Sequence, residues 1–139
     1  MLCQMEKQGE GSILNVASSA GLLPAGPYMA TYYATKSYVT SLTRAVALEL
    51  KEKKSNVYVG ALCPGPVDTE FNKVANVEFA IPSITPTYCA SYAIRKMEKR
   101  KIVIVPKNKM KVLAFISRVL PQSLVIRMTA RQQKKKRNW

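Results

Sequence analysis

Short apolar runs alternate with helix-forming segments along residues 12–106, and this alternation limits the possible folds more than any other feature. Three of the runs have the length of a buried strand: residues 12–17, 56–63 and 101–106. One helix is predicted over residues 30–51, and another from Thr85 or Thr87 to Lys99. Strands separated by helices in this order pair in parallel. The predicted fold class is therefore α/β, a doubly wound parallel sheet of about three strands with helices on its faces.

The sheet predicted in this way is incomplete at its first strand. Residues 1–11 are mostly polar and resemble the last turns of a helix, so they offer that strand no partner. We therefore expect the strand at residues 12–17 to be an open edge, which intact proteins usually cover. The chain is interpreted as one part of a larger sheet.

The predicted helices carry apolar residues at helical spacing. In the helix over residues 30–51 these residues share one face: Tyr38, Leu42, Ala45, Val46 and Leu50. Beyond Pro106, dense apolar residues interrupted by lysine and arginine predict two further helices, separated at Pro121.

Positive charge is concentrated at the carboxyl end of the chain. Residues 1–94 contain seven Lys/Arg and seven Asp/Glu, whereas residues 95–139 contain fifteen Lys/Arg and only Glu98, so the net charge of +14 belongs to the end of the chain. On this basis residues 1–106 are interpreted as the sheet-forming unit, and residues 107–139 as a basic amphipathic helical tail.

Composition excludes several kinds of site. Histidine is absent, which removes Ser-His-Asp and Cys-His nucleophile arrangements and every zinc site that uses histidine, and no metal site is predicted. Cys3, Cys63 and Cys89 are widely spaced, which is typical of free thiols in a reducing compartment. The first residues contain no apolar stretch of signal-peptide length. We expect a cytoplasmic location, with attachment to the surface of a membrane as the alternative.

Tyr32 and Lys36 form a candidate acid–base pair. They lie four residues apart at the start of a predicted helix, so both side chains project from one face with Cβ atoms about 5–6 Å apart. A lysine ammonium at this distance favours the phenolate form and makes the tyrosine a usable proton donor and acceptor. Tyr33 points about 100° away from Tyr32 around the helix and is predicted to pack, and Tyr28 has no predicted chemical role.

Three motifs occur in a fixed order, NVASSAG at residues 15–21, YYATK at residues 32–36 and PGPVDT at residues 64–69. Together they resemble the short-chain dehydrogenase/reductase family, closely over residues 11–72 and more loosely to about residue 106. The resemblance implies a Rossmann-like fold and an oxidoreductase that interconverts a carbonyl compound and an alcohol. It also implies NAD or NADP as the cofactor, with NADP favoured.

The family's catalytic residues are carried over by position. Tyr32 resembles the tyrosine that gives a proton to the carbonyl oxygen as hydride arrives from the nicotinamide. Lys36 resembles the lysine that favours the ionised tyrosine and hydrogen-bonds the nicotinamide ribose. Ser18, at the end of the first strand, is favoured as the serine that orients the carbonyl. The usual spacing before the tyrosine points instead to Ser19, and the serine that is not catalytic is expected to cap a turn or helix.

The third motif resembles the segment that closes over the nicotinamide. The resemblance implies that Pro64 and Gly65 take part in binding the cofactor, that the Val67 backbone meets the carboxamide, and that Thr69 adds a hydroxyl. The connection that follows occupies the place of the family's variable substrate loop, and its apolar residues suit a hydrophobic carbonyl compound or simply cover the sheet: Phe71, Val74, Val77, Phe79 and Ile81.

The sequence also departs from the family pattern. It contains no glycine-rich turn after a first strand, no Asn-Asn-Ala-Gly segment, and no replacement for the family's active-site asparagine, because Asn15 lies inside a strand. We therefore interpret the chain as the C-terminal half of a member, lacking the dinucleotide-binding half. By itself it is expected to bind NAD(P) poorly, and the alternative function is a catalytically silent fragment that acts as a basic membrane-surface or protein-interaction module.

Partners are predicted from the same features. The basic, apolar tail is compatible with an anionic membrane surface, and solvated charge at a frayed end is the other interpretation. Nucleic acid is not predicted, since no aromatic residue interrupts the basic cluster before Trp139. From the family resemblance alone, the helix over residues 30–51 is expected to mediate a homo-oligomer.

Overall fold

A computed structural model describes residues 1–70 and 82–136 of the 139-residue chain, with side chains described up to residue 134. The predicted apolar substrate loop falls on residues 71–81, which lie outside the described residues.

The described residues form a three-stranded parallel sheet, which confirms the predicted fold class. Its strands are β1 (Ser12–Val16), β2 (Tyr58–Leu62) and β3 (Val103–Ile104), in the spatial order β1-β2-β3. Ser12 pairs with Tyr58 in the parallel register of β1 and β2. Strand β1 lies at the edge, as predicted, and β2 lies in the centre, where all five of its residues are buried.

Strand β3 is shorter than the run of residues 101–106 suggested. Lys101 and Ile102 are exposed, and the strand comprises only two residues. The hydrogen bonds to β2 nevertheless begin one residue before the strand, because the Ala61 and Cys63 amides donate to the carbonyl oxygens of Ile102 and Ile104, each at 2.7 Å. Pro106 lacks a backbone N–H, so pairing cannot extend through it.

The helices follow the predicted order. Within the described residues they are α1 (Leu2–Gln8), a 3-10 turn (Ser19–Leu22), α2 (Ala30–Glu52), α3 (Pro86–Glu98), α4 (Asn108–Val119) and α5 (Gln122–Lys136). Helix α3 begins where it does because the Thr85 side chain accepts a hydrogen bond from the Tyr88 amide at 3.2 Å and Pro86 occupies the first turn. Pro121 separates α4 from α5.

The face of α2 that packs on the protein differs from the apolar face expected from spacing. Tyr38, Leu42 and Ala45 are exposed, whereas the buried residues of α2 are Tyr33, Thr40, Thr43 and Leu50. The two threonine hydroxyls donate within the helix, to the carbonyl oxygens of Lys36 at 2.9 Å and Val39 at 2.7 Å. Because these hydroxyls are satisfied locally, threonine can be buried without an unpaired polar group.

Apolar side chains cover both faces of the sheet, as a doubly wound arrangement requires. Side chains alternate along β2, so Ala61 and Cys63 pack with Val105 and Met110 on one face. Leu62 packs on the other face with residues of α3 and β3: Cys89, Ala93 and Ile104. Helix α1 contributes Leu2 and Met5 to a third cluster around Leu50, Val57 and Val59.

The segment beyond residue 106 folds as helices that contact the sheet-forming unit. Met110 of α4 and Val125 of α5 are both buried. Whether residues 107–139 form a separate unit stays a prediction. No helix within residues 1–70 and 82–136 combines the length and apolar composition needed to cross a membrane.

Candidate active site

The carboxyl ends of β1 and β2 lie side by side, and the loops that follow them are hydrogen-bonded to each other. The Ala17 amide donates to the Leu62 carbonyl oxygen, and the Ser19 amide donates to the Pro64 carbonyl oxygen, both at 2.8 Å. The first and third sequence motifs therefore meet at one edge of the sheet. In open α/β sheets this edge is where ligands bind.

Lys36 fixes the first turns of α2 to this edge. Its Nζ donates a hydrogen bond to the Val16 carbonyl oxygen at 3.1 Å, at the last residue of β1. The 3-10 turn also approaches α2 closely, since a Cβ on Gly21 would lie 2.3 Å from the Lys36 carbonyl oxygen. Only glycine at this position lets the two backbones come so near.

Tyr32 and Lys36 lie together, as their spacing predicted. The Lys36 Nζ is 5.9 Å from the centroid of the Tyr32 ring, within the range of a cation–π contact. The Tyr32 side chain is half-buried. The second motif therefore lies at the same edge as the other two, because Lys36 bonds to the end of β1.

Ser18 has a structural role in addition to the catalytic role predicted for it. We expected the non-catalytic serine to be the cap and favoured Ser18 for catalysis, but Ser18 itself caps the 3-10 turn: its Oγ accepts from the Ala20 amide at 3.2 Å. A serine hydroxyl that accepts one hydrogen bond still has its own proton to donate. The catalytic assignment of Ser18, with Ser19 as the alternative, stays a prediction.

The segment that follows β2 is also bridged to Ile84, which lies just before the start of α3. The Ile84 amide donates to the Pro66 carbonyl oxygen at 3.0 Å, and the Asp68 amide donates to the Ile84 carbonyl oxygen at 2.9 Å, on either side of a parallel bridge between Val67 and Ile84. Gly65 lies against α4, where an added Cβ would be 3.1 Å from Met110 Cγ. Thr69 is exposed. Their proposed contacts with a cofactor stay predictions.

The two tyrosines expected to have no chemical role differ in burial, since Tyr28 is exposed and Tyr33 is buried. Tyr33 is buried and packs edge-to-face with Tyr32, with ring centroids 6.4 Å apart, which confirms its predicted packing role. Burial raises the pKa of the Tyr33 phenol above its ordinary value, although a hydrogen bond from Gln133 opposes the shift. Sequence reasoning missed Gln133, since a glutamine in a Lys/Arg-rich segment gives no signal of burial.

Cys63 lies at the end of β2, beside the site, and is fully buried at 0% exposure. Its Sγ is 3.8 Å from the Thr40 hydroxyl. Burial raises the pKa of the Cys63 thiol above its ordinary value of 9.0, and the Thr40 hydrogen bond only partly opposes this. A buried, protonated thiol is a packing group and a poor nucleophile. Among the described Cys, Asp and Glu residues, no three are grouped as metal ligands would be.

The fold and the site define the chain as an α/β protein with a Tyr-Lys pair and hydroxyl groups at the ligand-binding edge of a parallel sheet. The family model for short chain dehydrogenases matches residues 1–78, more than half of the chain. The chain belongs to the short chain dehydrogenase family.

Individual relatives agree with this assignment. D-beta-hydroxybutyrate dehydrogenase of Rhizobium meliloti is 46% identical over 65 residues, 47% of this chain and 24% of that protein. Dehydrogenase/reductase SDR family member 4 of Bos taurus is 35% identical over 96 residues, 69% of this chain and 32% of that protein. A short-chain dehydrogenase from Sphingobium yanoikuyae, solved in complex with NADPH, is 25% identical with a TM-score of 0.67 and matches 84% of this chain and 47% of that one.

The chain spans a quarter to a third of the length of these two curated relatives, at 24% and 32%. It spans about half of the Sphingobium protein, at 47%. The activity and substrates of these whole enzymes therefore do not carry over directly to this chain.

The raised thiol pKa of Cys63 predicts a loss of stability at alkaline pH. In the unfolded chain the thiol ionises near 9.0, whereas in the folded chain it stays protonated to higher pH. The contribution of the protonated thiol to the free energy of unfolding is therefore fully present below the unfolded pKa and is lost as pH rises through the folded pKa. Over this range the free energy of unfolding falls by at most about 1.4 kcal/mol per pH unit.

Urea unfolding followed by circular dichroism at about pH 7 and about pH 10 measures this loss. We expect Cys63→Ala to reduce the difference in unfolding free energy between the two conditions, and the exposed control Cys3→Ala to leave it unchanged. An equal difference in wild type and Cys63→Ala would show that the buried thiol contributes nothing to it.

Proposed function

We propose that this chain supplies the substrate side of an NAD(P)-dependent oxidoreductase that transfers hydride between nicotinamide and a carbonyl or alcohol substrate. The observation that carries the proposal is the placement of the Tyr32–Lys36 pair. The Lys36 ammonium lies 5.9 Å from the Tyr32 ring centroid and bonds to the last carbonyl of β1, beside Ser18. These contacts support the proposal because they put a phenol and an ammonium at the edge of the sheet where ligands bind in such folds, and the bonded Val16 lies two residues along the chain from Ser18.

Side chains of the protein transfer the proton and orient the carbonyl oxygen of the substrate. Tyr32 donates its hydroxyl proton to the carbonyl oxygen during reduction and accepts it back during oxidation. The Lys36 ammonium stabilises the negative charge left on the phenol oxygen. Ser18 can donate its hydroxyl proton to the substrate carbonyl while its oxygen accepts from Ala20, so the cap restrains the direction of that proton.

The residues present fit the nicotinamide end of a dinucleotide and not its phosphate end. Tyr32, Lys36, Pro64, Gly65, Val67 and Thr69 would hold the nicotinamide and its ribose. When bound, the cofactor supplies or accepts the hydride, and NADP is the form we favour. The sequence has no glycine-rich turn to bind pyrophosphate. An apolar carbonyl compound is the proposed substrate, in keeping with the apolar residues 71–81.

The first consequence is weak cofactor binding by the 139-residue chain itself. Without the backbone amides that usually hold pyrophosphate, we expect no saturation of NADPH fluorescence at micromolar protein concentration. Bovine serum albumin at equal concentration controls for nonspecific quenching. Saturable binding in the micromolar range would contradict the expectation.

The second consequence concerns catalysis by Tyr32 and is tested in a chimera in which the first half of the Sphingobium yanoikuyae enzyme precedes this chain. We expect the chimera to reduce an apolar ketone with NADPH, and Tyr32→Phe to lower turnover by about 100- to 10,000-fold because the proton donor is lost. Tyr88→Phe is the matched control, since Tyr88 lies on α3 and is 45% exposed.

Nicotinamide absorbance measures this turnover, and circular dichroism verifies that each chimera is folded. A folded Tyr32→Phe chimera that retains full turnover would refute the assignment. If the folded wild-type chimera binds NADPH but reduces no ketone, the silent-fragment alternative is favoured.

A homo-oligomer is also proposed, on the basis of α2. Three apolar residues of this helix lie exposed in the single chain: Tyr38, Leu42 and Leu48. The family resemblance makes this helix the expected contact, and pairing it with the same helix of a second copy would remove apolar surface from water.

A second candidate function is supported by the outer surface of α4, and we propose that this surface lies on an anionic membrane. Four apolar residues of α4 recur at helical spacing and are all exposed: Val112, Phe115, Ile116 and Val119. We call these four residues the apolar stripe, and two apolar residues of α5, Leu124 and Met128, are exposed as well. A stripe of this kind with lysine and arginine around it is typical of helices that lie in the interface of a bilayer.

Charge favours lipid over a second copy as the partner of the apolar stripe. No acidic residue follows Glu98, whereas thirteen lysine and arginine residues do. Two copies meeting through this surface would bring like charges together, whereas anionic lipid headgroups would neutralise them. A cytoplasmic protein attached to the inner membrane surface is the location that this proposal implies.

Co-sedimentation with vesicles tests the membrane proposal. We expect the protein to pellet with phosphatidylserine-containing vesicles and not with pure phosphatidylcholine, and to be released by salt. Phe115→Ser with Val119→Ser should weaken binding by about tenfold or more, because two apolar side chains no longer enter the interface. Ile94→Ser on α3 removes an apolar residue that is 56% exposed and lies outside the apolar stripe, and it should have no effect.

Equal pelleting of wild type and the double variant would refute the apolar stripe as the binding surface. Pelleting without vesicles would indicate self-association instead.

A further inference from the structure

One face of α5 is buried although the segment is rich in lysine and arginine. Its buried residues recur four apart, Val125, Thr129 and Gln133, and Gln133 is only 2% exposed. A glutamine is seldom so completely buried unless its amide is hydrogen-bonded. The partners of these polar residues therefore indicate what α5 does.

The Gln133 amide bonds to the residue next to Tyr32. Its Nε2 donates to the Tyr33 Oη at 2.8 Å, and both side chains are buried. Removing either partner would leave the other buried and unpaired, which is costlier than never having formed the bond. The bond joins positions one hundred residues apart in the chain and holds α5 against α2.

The loop that leads into α2 is held by the same face of α5. The Thr129 Oγ1 lies 3.1 Å from the Ala25 carbonyl oxygen, in addition to two carbonyl oxygens of its own helix. The Tyr33 ring packs directly on Gly26, where an added Cβ would come within 2.3 Å of the ring. Lys134 also lies over the Tyr28 ring, 5.5 Å from its centroid. Helix α5 thus contacts the loop before Tyr32, at Ala25 and Tyr28, and the residue after it, Tyr33.

The start of α2 has a particular need for such support. Its N-cap residue is Met29, which makes no side-chain capping bond, so the first turn lacks the usual stabilisation. Successive residues of a helix point about 100° apart, so fixing Tyr33 inward also fixes the direction of Tyr32. The edge-to-face contact between the two rings, at 6.4 Å, couples them further.

We propose that Gln133 is a positioning residue for Tyr32: by holding the Tyr33 hydroxyl, it sets the rotation of the first turn of α2 and so the direction of the Tyr32 phenol. The C-terminal helix is then a structural part of the site. This inference rests on the proposed function only for its catalytic consequence, since the contact itself is independent of catalysis.

The test uses the 139-residue chain and needs no cofactor. Gln133→Leu keeps the volume and removes the amide, Tyr33→Phe removes the hydroxyl, and the double variant completes the cycle. The Tyr33 amide bonds to the Met29 carbonyl oxygen, and we expect its hydrogen exchange to become about tenfold faster in each single variant. The double variant should exchange at nearly the same rate as the single variants, because both changes remove the same bond. Exchange in β2 should stay unchanged. Gln122→Leu, an identical change at an exposed position of α5, is the control.

A spectroscopic readout distinguishes positioning from general stabilisation. In protein labelled with carbon-13 at the tyrosine Cζ, Gln133→Leu should shift or broaden the Tyr32 signal, assigned through Tyr32→Phe, and Gln122→Leu should not. An unchanged Tyr32 signal, or exchange that accelerates equally in β2, would overturn the proposal. Failure of the chimera to lose turnover in Tyr32→Phe would refute the catalytic assignment but leave this contact standing.

Discussion

The hydrogen bond from the Lys36 ammonium to the Val16 carbonyl oxygen is the contact on which the arrangement of the site depends. At 3.1 Å it joins the first turns of α2 to the last residue of an edge strand. Gly21 permits the 3-10 turn to lie against the Lys36 backbone, and the Ser19–Pro64 bond joins that turn to the loop after β2. Without the lysine contact, no side chain of the first turns of α2 would bond to the end of β1, and the position of Tyr32 relative to the two loops would be less well fixed.

The helices around this contact have unequal roles. Helix α2 buries threonines whose hydroxyls bond to their own helix, so it can pack closely on small residues of β2 and leave its larger apolar residues outward. Helix α4 packs Met110 into the core while it exposes the apolar stripe. Helix α5 supports the uncapped start of α2 through Gln133. The basic segment at the carboxyl end therefore also contains residues that are buried and make specific contacts.

Strands, helices and the Tyr32–Lys36 pair could be predicted from the sequence because they depend on local pattern. Strands β1 and β2, helix α2 and the start of α3 follow from apolar periodicity, Pro86 and Thr85. The buried face of α2 could not, since Thr40 and Thr43 look polar until their hydroxyls are satisfied. Ser18 as the cap and Gln133 as a buried partner also escaped prediction, because both depend on where distant backbone lies.

The claim that Tyr32 and Lys36 act as one unit is tested most directly by a double-mutant cycle on turnover. Tyr32→Phe, Lys36→Met and the double variant are compared in the chimera. Groups that act together lose most of their joint effect when either is removed, so the double variant should be about as slow as the slower single variant. Losses that multiply, as for independent residues, would contradict the account.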